Sequence, residues 1–104
     1  MSADNYRLIR RAIIDKRQVR ATYQGRLREM CPHALGTKNG RRQALFFQFA
    51  GESARGLPPD GDWRCLPVDE LTEVSLRDGD WHTDDRYGRS RQTCVDEIDV
   101  AVAA

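Results

Sequence analysis

The most apolar stretch of the chain is Ala44-Leu45-Phe46-Phe47-Gln48-Phe49. Its composition favours a strand, and the Asn39-Gly40 pair ahead of it is a strong hairpin signal because both residues tolerate a positive φ. We therefore place this strand at the centre of a sheet, with apolar side chains on both faces. Its alternate side chains should face the core and the amino-terminal helix in turn: Leu45, Phe47 and Phe49 in the core, and Ala44 and Phe46 under the helix.

The segment before this strand predicts a helix and a hairpin. Apolar residues recur at helical spacing over residues 5–16, directly after Asp4, a residue type that caps helix amino termini. Alternating residues then predict a strand at 19–23, a turn at Gln24-Gly25 and a partner strand at 26–31. Because Pro32 cannot donate a ladder hydrogen bond, we expect this second strand to stop there.

The segment after the central strand predicts a loop over residues 51–62, further strands at 63–66 and 71–76, and one more strand or an extended arm around 98–102. The expected fold is a single α+β, mainly β, domain over residues 1–104. It comprises a helix at 4–16, a small, strongly bent antiparallel barrel of about five strands at 18–76, and a carboxyl-terminal extended arm at 77–104. Sm-like and SH3-like barrels have this order of elements.

Charge is distributed unevenly along the chain. Residues 1–50 carry 11 Lys and Arg against three acids, whereas residues 51–104 carry six Arg against 13 acids. Such a chain can pair its halves internally, dock a neighbouring copy, or present a basic face to an anion. No apolar run approaches the about 18 residues that a membrane span needs, and arginines interrupt the region where a signal peptide would be apolar, so we expect a cytoplasmic location.

The cysteines and the known catalytic motifs give little support for an enzyme or a metal site. Cys31, Cys65 and Cys94 are odd in number and lie 34 and 29 residues apart, so we expect reduced thiols. Cys31 and His33 form a single potential ligand pair, which falls short of the about four ligands of a zinc site. The chain has no phosphate-binding glycine loop or catalytic motif, so we expect no enzyme activity and no cofactor.

Several segments occur in the order and spacing of a known family. They are Ala12-Ile13-Ile14-Asp15-Lys16-Arg17, residues 19–23, Arg28-Glu29-Met30-Cys31-Pro32, Leu35-Gly36, Asn39-Gly40 with the strand after it, and Arg64-Cys65-Leu66-Pro67-Val68-Asp69-Glu70-Leu71. Together they resemble the WYL domain. The resemblance implies an Sm-like, SH3-like barrel, which in bacterial transcription regulators is usually attached to a DNA-binding helix-turn-helix and senses nucleic acid or a nucleotide through a basic surface.

The chain departs from the family pattern at defined positions. The Trp-Tyr-Leu signature is replaced by Gln43-Ala44-Leu45. In the later segment the family favours an arginine, an aromatic residue and two further arginines. This chain keeps the first arginine as Arg64 but has Leu66, Pro67 and Glu70 in the rest of the segment. Arg28, four residues before Pro32, matches. The resemblance therefore implies a divergent, free-standing relative.

The candidate ligand-binding residues are five arginines expected to share one face of the sheet: Arg20, Arg28, Arg41, Arg42 and Arg64. The expected ligand is nucleic acid or a small anion, and the bases of a nucleic acid would stack on Tyr23 or Trp63. The expected role is non-enzymatic and regulatory. The alternative is a structural protein that forms homo-oligomers by docking its acidic half on the basic half of a neighbour.

Overall fold

The structure is a computed structural model that describes residues 2–52, 56–85, 87 and 92–102. The fold is α+β and mainly β, as predicted. Helix α1 (Ser2–Asp15) precedes a sheet of six strands among these residues, and a short 3-10 helix (Val68–Glu70) follows the fourth. The strands are β1 (Gln18–Tyr23), β2 (Arg26–Lys38), β3 (Arg41–Gly51), β4 (Asp62–Pro67), β5 (Thr72–Arg77) and β6 (Glu97–Ala101).

Helix α1 begins two residues before the predicted start, so Asp4 lies in its first turn and is not the N-cap. A carboxylate in the first turn still favours the helix because it faces the positive end of the helix dipole. The helix ends before Lys16, whose φ of 52° is left-handed. Its inward side chains, Ile9, Ala12 and Ile13, are buried against the sheet.

The strand order is β4-β3-β2-β1-β5, with β6 also paired to β2, and every pair is antiparallel. One edge of β2 pairs with β3, whereas the other edge pairs first with β1 and then with β6. The predicted turns at Gln24-Gly25 and Asn39-Gly40 are confirmed, since all four residues have φ between 51° and 79°. The last strand of the described chain thus pairs within its own molecule.

The prediction that the second strand stops at Pro32 is wrong, because β2 continues to Lys38. Pro32 pairs with Phe46 of β3. Along the other edge of β2, the ladder with β1 ends at Met30 and the ladder with β6 begins at Ala34. Pro32 therefore falls where that edge changes partner and no ladder donor is needed.

The sheet buries side chains on both faces, but the predicted assignment of the β3 side chains is inverted. Ala44 and Phe46 belong to the main core under α1, where both are fully buried. Leu45 and Phe47 lie on the opposite face, which we call the second face, and Phe49 stacks on His82 there. The prediction that the helix covers Ala44 and Phe46 is confirmed. The main core, however, lies on this helix side of the sheet and not on the side of Leu45 and Phe47.

The expectation of three reduced thiols is also wrong. Cys65 of β4 and Cys94 form a disulfide with a Cα–Cα distance of 5.6 Å, which leaves Cys31 as the free cysteine. The pairing arises because the chain around Cys94 crosses the second face, where Cys94 and Val95 pack against Ala34 and Leu45. Spacing along the sequence does not reveal such a crossing.

Candidate anion-binding site

The five predicted arginines do not form one face. Arg28 and Arg64 come together, whereas Arg20 lies on the other side of the sheet. Arg41 forms an exposed ion pair with Glu70 at 3.3 Å. The guanidinium of Arg42 lies over the Tyr6 ring, 5.4 Å from the ring centroid.

Strand register explains why Arg20 and Arg28 separate. In the ladder between β1 and β2, Arg20 is opposite Glu29 and Arg28 is opposite Ala21. Directly opposed residues share a face and adjacent residues do not. Because Ala21 is fully buried in the main core, Arg28 points to the core side and Arg20 to the outer side.

Arg28 lies at the end of the main core and is only 4% exposed. Its Nη1 donates to the Oε1 of Gln48 at 3.4 Å, and its guanidinium lies 5.2 Å from the centroid of the Tyr23 ring. Its buried Nε has no hydrogen-bond partner among the residues that the structure describes. Within the described chain, no carboxylate forms a salt bridge with Arg28.

Gln48 holds the two arginines of the site together. Its Nε2 donates to the backbone oxygens of Ala50 at 3.1 Å and Glu52 at 2.9 Å, which turns Oε1 toward the guanidinium groups. The Nε of Arg64 donates to the same Oε1 at 3.3 Å. The sequence analysis did not identify Gln48. The signal that could have identified it is its position two residues after Phe46, which places a polar side chain on the same buried face as Ala44 and Phe46.

Arg64 is more accessible than Arg28 and has an acidic neighbour. Its side chain is 20% exposed, and its Nη1 donates to Asp62 Oδ2 at 3.2 Å and to the Trp63 backbone oxygen at 3.3 Å. Asp62 thus pairs with Arg64 and not with Arg28. Arg28 is therefore the guanidinium of this pair that no carboxylate of the described residues matches by a salt bridge.

The electrostatics of Arg28 are unfavourable in the free protein. Burial is the largest cause that lowers the pKa of Arg28, and the nearby charge of Arg64 lowers it further. Burying a cation without an acidic partner costs free energy because water no longer solvates the charge. A bound anion would remove this cost, and the unpartnered Nε–H would supply a donor for it.

The two predicted stacking residues lie on different faces. Tyr23 is half-buried beside Arg28 in the site. Trp63 instead lies on the second face, where it contacts His33 and Tyr87 and its Nε1 donates to Asp84 at 2.9 Å. Only Tyr23 is therefore placed to stack against a ligand held by Arg28.

The side chains of Cys31 and His33 have separate hydrogen-bond partners. His33 Nδ1 lies 2.8 Å from the backbone oxygen of Cys31, and its Nε2 lies 2.8 Å from Thr83 Oγ1. Burial raises the pKa of the Cys31 thiol to about 11. In the described part of the chain, no three His, Cys, Asp or Glu side chains are grouped as metal ligands would be.

Several ion pairs join the basic and acidic halves within one molecule. Arg10 pairs with Asp99 at 3.2 Å and Arg17 with Asp78 at 3.0 Å, in addition to the Arg41–Glu70 pair. Docking of the acidic half on a neighbour, the alternative prediction, would have to compete with these contacts.

Over the described residues, the structure contains no helix with the length and apolar character needed to cross a membrane.

Comparison with known proteins adds no identification. No protein-family model, curated protein or solved structure matches the chain.

Proposed function

We propose that the chain is a non-enzymatic regulatory module that binds a small phosphate-bearing ligand, such as a nucleotide, at Arg28 and Arg64. The observation that carries the proposal is the burial of Arg28 without an acidic partner among the described residues and with an unpartnered Nε. A phosphate suits this pair because guanidinium groups donate paired hydrogen bonds to its oxygens.

The burial of Arg28 and the separation of the other arginines favour a small ligand over a long nucleic acid. A nucleic acid that binds without sequence preference usually follows an extended basic groove, with several exposed aromatic rings for stacking. Here Arg20, Arg41 and Arg42 are separated from Arg28, and Trp63 lies on the second face. A ligand with one phosphate group and one base could contact Arg28 and Arg64 through the phosphate and Tyr23 through the base.

The fold part of the proposal is an Sm-like or SH3-like barrel of the WYL type in a cytoplasmic protein. It is supported by the leading helix, by β1 pairing with both β2 and β5, and by the way β2 extends past β1 to pair with β6. Arg28 and Arg64, the two site arginines that fit the resemblance, are also the two that share Gln48.

Calorimetric titration tests the function directly. Inorganic phosphate, AMP and a short single-stranded oligonucleotide are titrated at about 50 mM salt into the wild type, Arg28→Met and Arg20→Met. We expect AMP to bind the wild type and Arg20→Met equally. Arg28→Met should bind it about 10- to 100-fold more weakly, because a hydrogen bond to a charged group contributes about 1.5–3 kcal/mol.

Three results would reject the proposal. They are the absence of AMP and phosphate binding by the wild type, equal affinity of Arg28→Met and the wild type, and binding of the oligonucleotide alone. The last result would favour the nucleic-acid form of the regulatory hypothesis.

A further inference from the structure

The second face is covered by a segment between β5 and β6 that contains no strand in its described residues. We call residues 81–85, 87 and 92–95 the covering segment. The backbone nitrogen of His82 donates to the Cys31 sulfur at 3.3 Å, and Thr83 Oγ1 lies 2.8 Å from His33 Nε2. These contacts keep Cys31 fully buried and His33 only 1% exposed.

The disulfide attaches this segment to the sheet at one point. Cys65 is an exposed residue on β4, whereas Cys94 is only 6% exposed and packs with Ala34 and Leu45. Apart from this bond, the described attachment includes side-chain hydrogen bonds, ring contacts such as Phe49–His82, and the packing of Val95 against Leu45. The hydrogen bonds each contribute little net free energy. The disulfide adds a covalent attachment three residues before β6, so the segment cannot move away from Cys65 while the bond is intact.

We infer that the Cys65–Cys94 disulfide is a redox-sensitive attachment, and that its reduction by a dithiol releases the covering segment and exposes the second face. A thiolate of the reductant attacks the sulfur of Cys65, the more exposed residue of the pair, and forms a mixed disulfide, while Cys94 leaves as a thiolate and takes up a proton. The second thiol of the reductant then displaces Cys65. The reductant leaves as a disulfide, and the protein carries two thiols.

Release would change the chemistry of the buried groups beneath the segment. Cys31 loses the hydrogen bond from His82 and gains contact with water. Burial is the main cause that raises the Cys31 pKa to about 11, so exposure returns it toward the ordinary value and increases the thiolate fraction. Cys31 is therefore a built-in reporter of release.

Alkylation of Cys31 tests this inference without any ligand. The oxidised wild type and the double variant Cys65→Ser/Cys94→Ser each contain Cys31 as their sole thiol, so iodoacetamide labelling followed by mass spectrometry compares one site. We expect labelling of the double variant to be about tenfold faster or more, because opening of the segment limits the reaction. Far-UV circular dichroism should show that the sheet is retained.

Thr83→Val is the matched control, because it removes a contact of the segment and keeps the disulfide. We expect its labelling rate to stay close to that of the wild type. Treatment of the wild type with dithiothreitol should speed labelling of the Cys31 peptide, and reoxidation before labelling should restore protection. Equal rates in the wild type and the double variant, loss of the whole fold in the double variant, or equally fast labelling of Thr83→Val would each overturn the inference.

Discussion

Replacement of Arg28 by methionine should stabilise the free protein and weaken the proposed binding of AMP. Methionine has a similar length and needs neither solvation nor a hydrogen-bond partner. Among the described residues of the wild type, Arg28 is 4% exposed, its Nε has no partner, and its one side-chain hydrogen bond is a long one of 3.4 Å. A buried unsatisfied polar group costs about 1–3 kcal/mol. The Oε1 of Gln48 keeps Arg64 as a donor after the change.

The expected gain for Arg28→Met is therefore about 1 kcal/mol in the free energy of unfolding, measured by urea denaturation without ligand. For a domain of this size the melting temperature should rise by about 4–8 °C. Arg20→Met, on the outer side of the sheet, should change the free energy of unfolding by less than about 0.5 kcal/mol.

Saturating ligand should reverse the order of stability. A ligand at 100 times its Kd stabilises a protein by about 2.7 kcal/mol, whereas Arg28→Met, with 10- to 100-fold weaker binding, should gain only about 0.4–1.4 kcal/mol at the same AMP concentration. The wild type should then be more stable than Arg28→Met. A loss of more than about 2 kcal/mol in ligand-free Arg28→Met would show that Arg28 is a structural residue, and the reasoning would be refuted.

Other substitutions test the packing around the site and the second face. Gln48→Met should lower the free energy of unfolding by about 1–3 kcal/mol in urea denaturation, since it leaves two backbone oxygens without their side-chain donor. Gly36→Ala should cost about 1–3 kcal/mol and speed amide exchange in β6, because a Cβ there would clash with the Glu97 backbone oxygen. Burial lowers the pKa of His33 from its ordinary value of 6.5. As the pH falls, His33 is therefore protonated in the unfolded chain at a higher pH than in the folded protein. The contribution of neutral His33 to the free energy of unfolding should be complete above about pH 6.5. Below that pH the free energy of unfolding should decrease by up to about 1.4 kcal/mol per pH unit. Denaturation of His33→Gln at several pH values should show a smaller decrease.

Local sequence patterns were sufficient to predict the hairpins and the helix. Asn39-Gly40 and Gln24-Gly25 adopt the positive φ values that tight turns need, and the central strand lies within β3. These features depend on residues adjacent in sequence, so the sequence carries them directly. Of the five arginines expected on one face, Arg28 and Arg64 do meet, at the Oε1 of Gln48.

Features that depend on register or on distant segments could not be predicted in this way. Arg20 and Arg28 were expected together, but the offset of the β1–β2 ladder puts them on opposite sides of the sheet. The Cys65–Cys94 bond requires that the chain after β5 crosses the second face, and the continuation of β2 through Pro32 requires a change of partner along its edge. Neither requirement leaves a periodic signal in the sequence.

The most direct measurement is an NMR titration of the arginine Nε–Hε resonances with AMP. The central claim is that the unpartnered Nε of Arg28 donates to a bound phosphate. We predict saturable shifts of the Arg28 and Arg64 resonances at the same ligand concentration, with no shift at Arg20. Unchanged Arg28 and Arg64 resonances, or equal shifts at all three arginines, would contradict the claim.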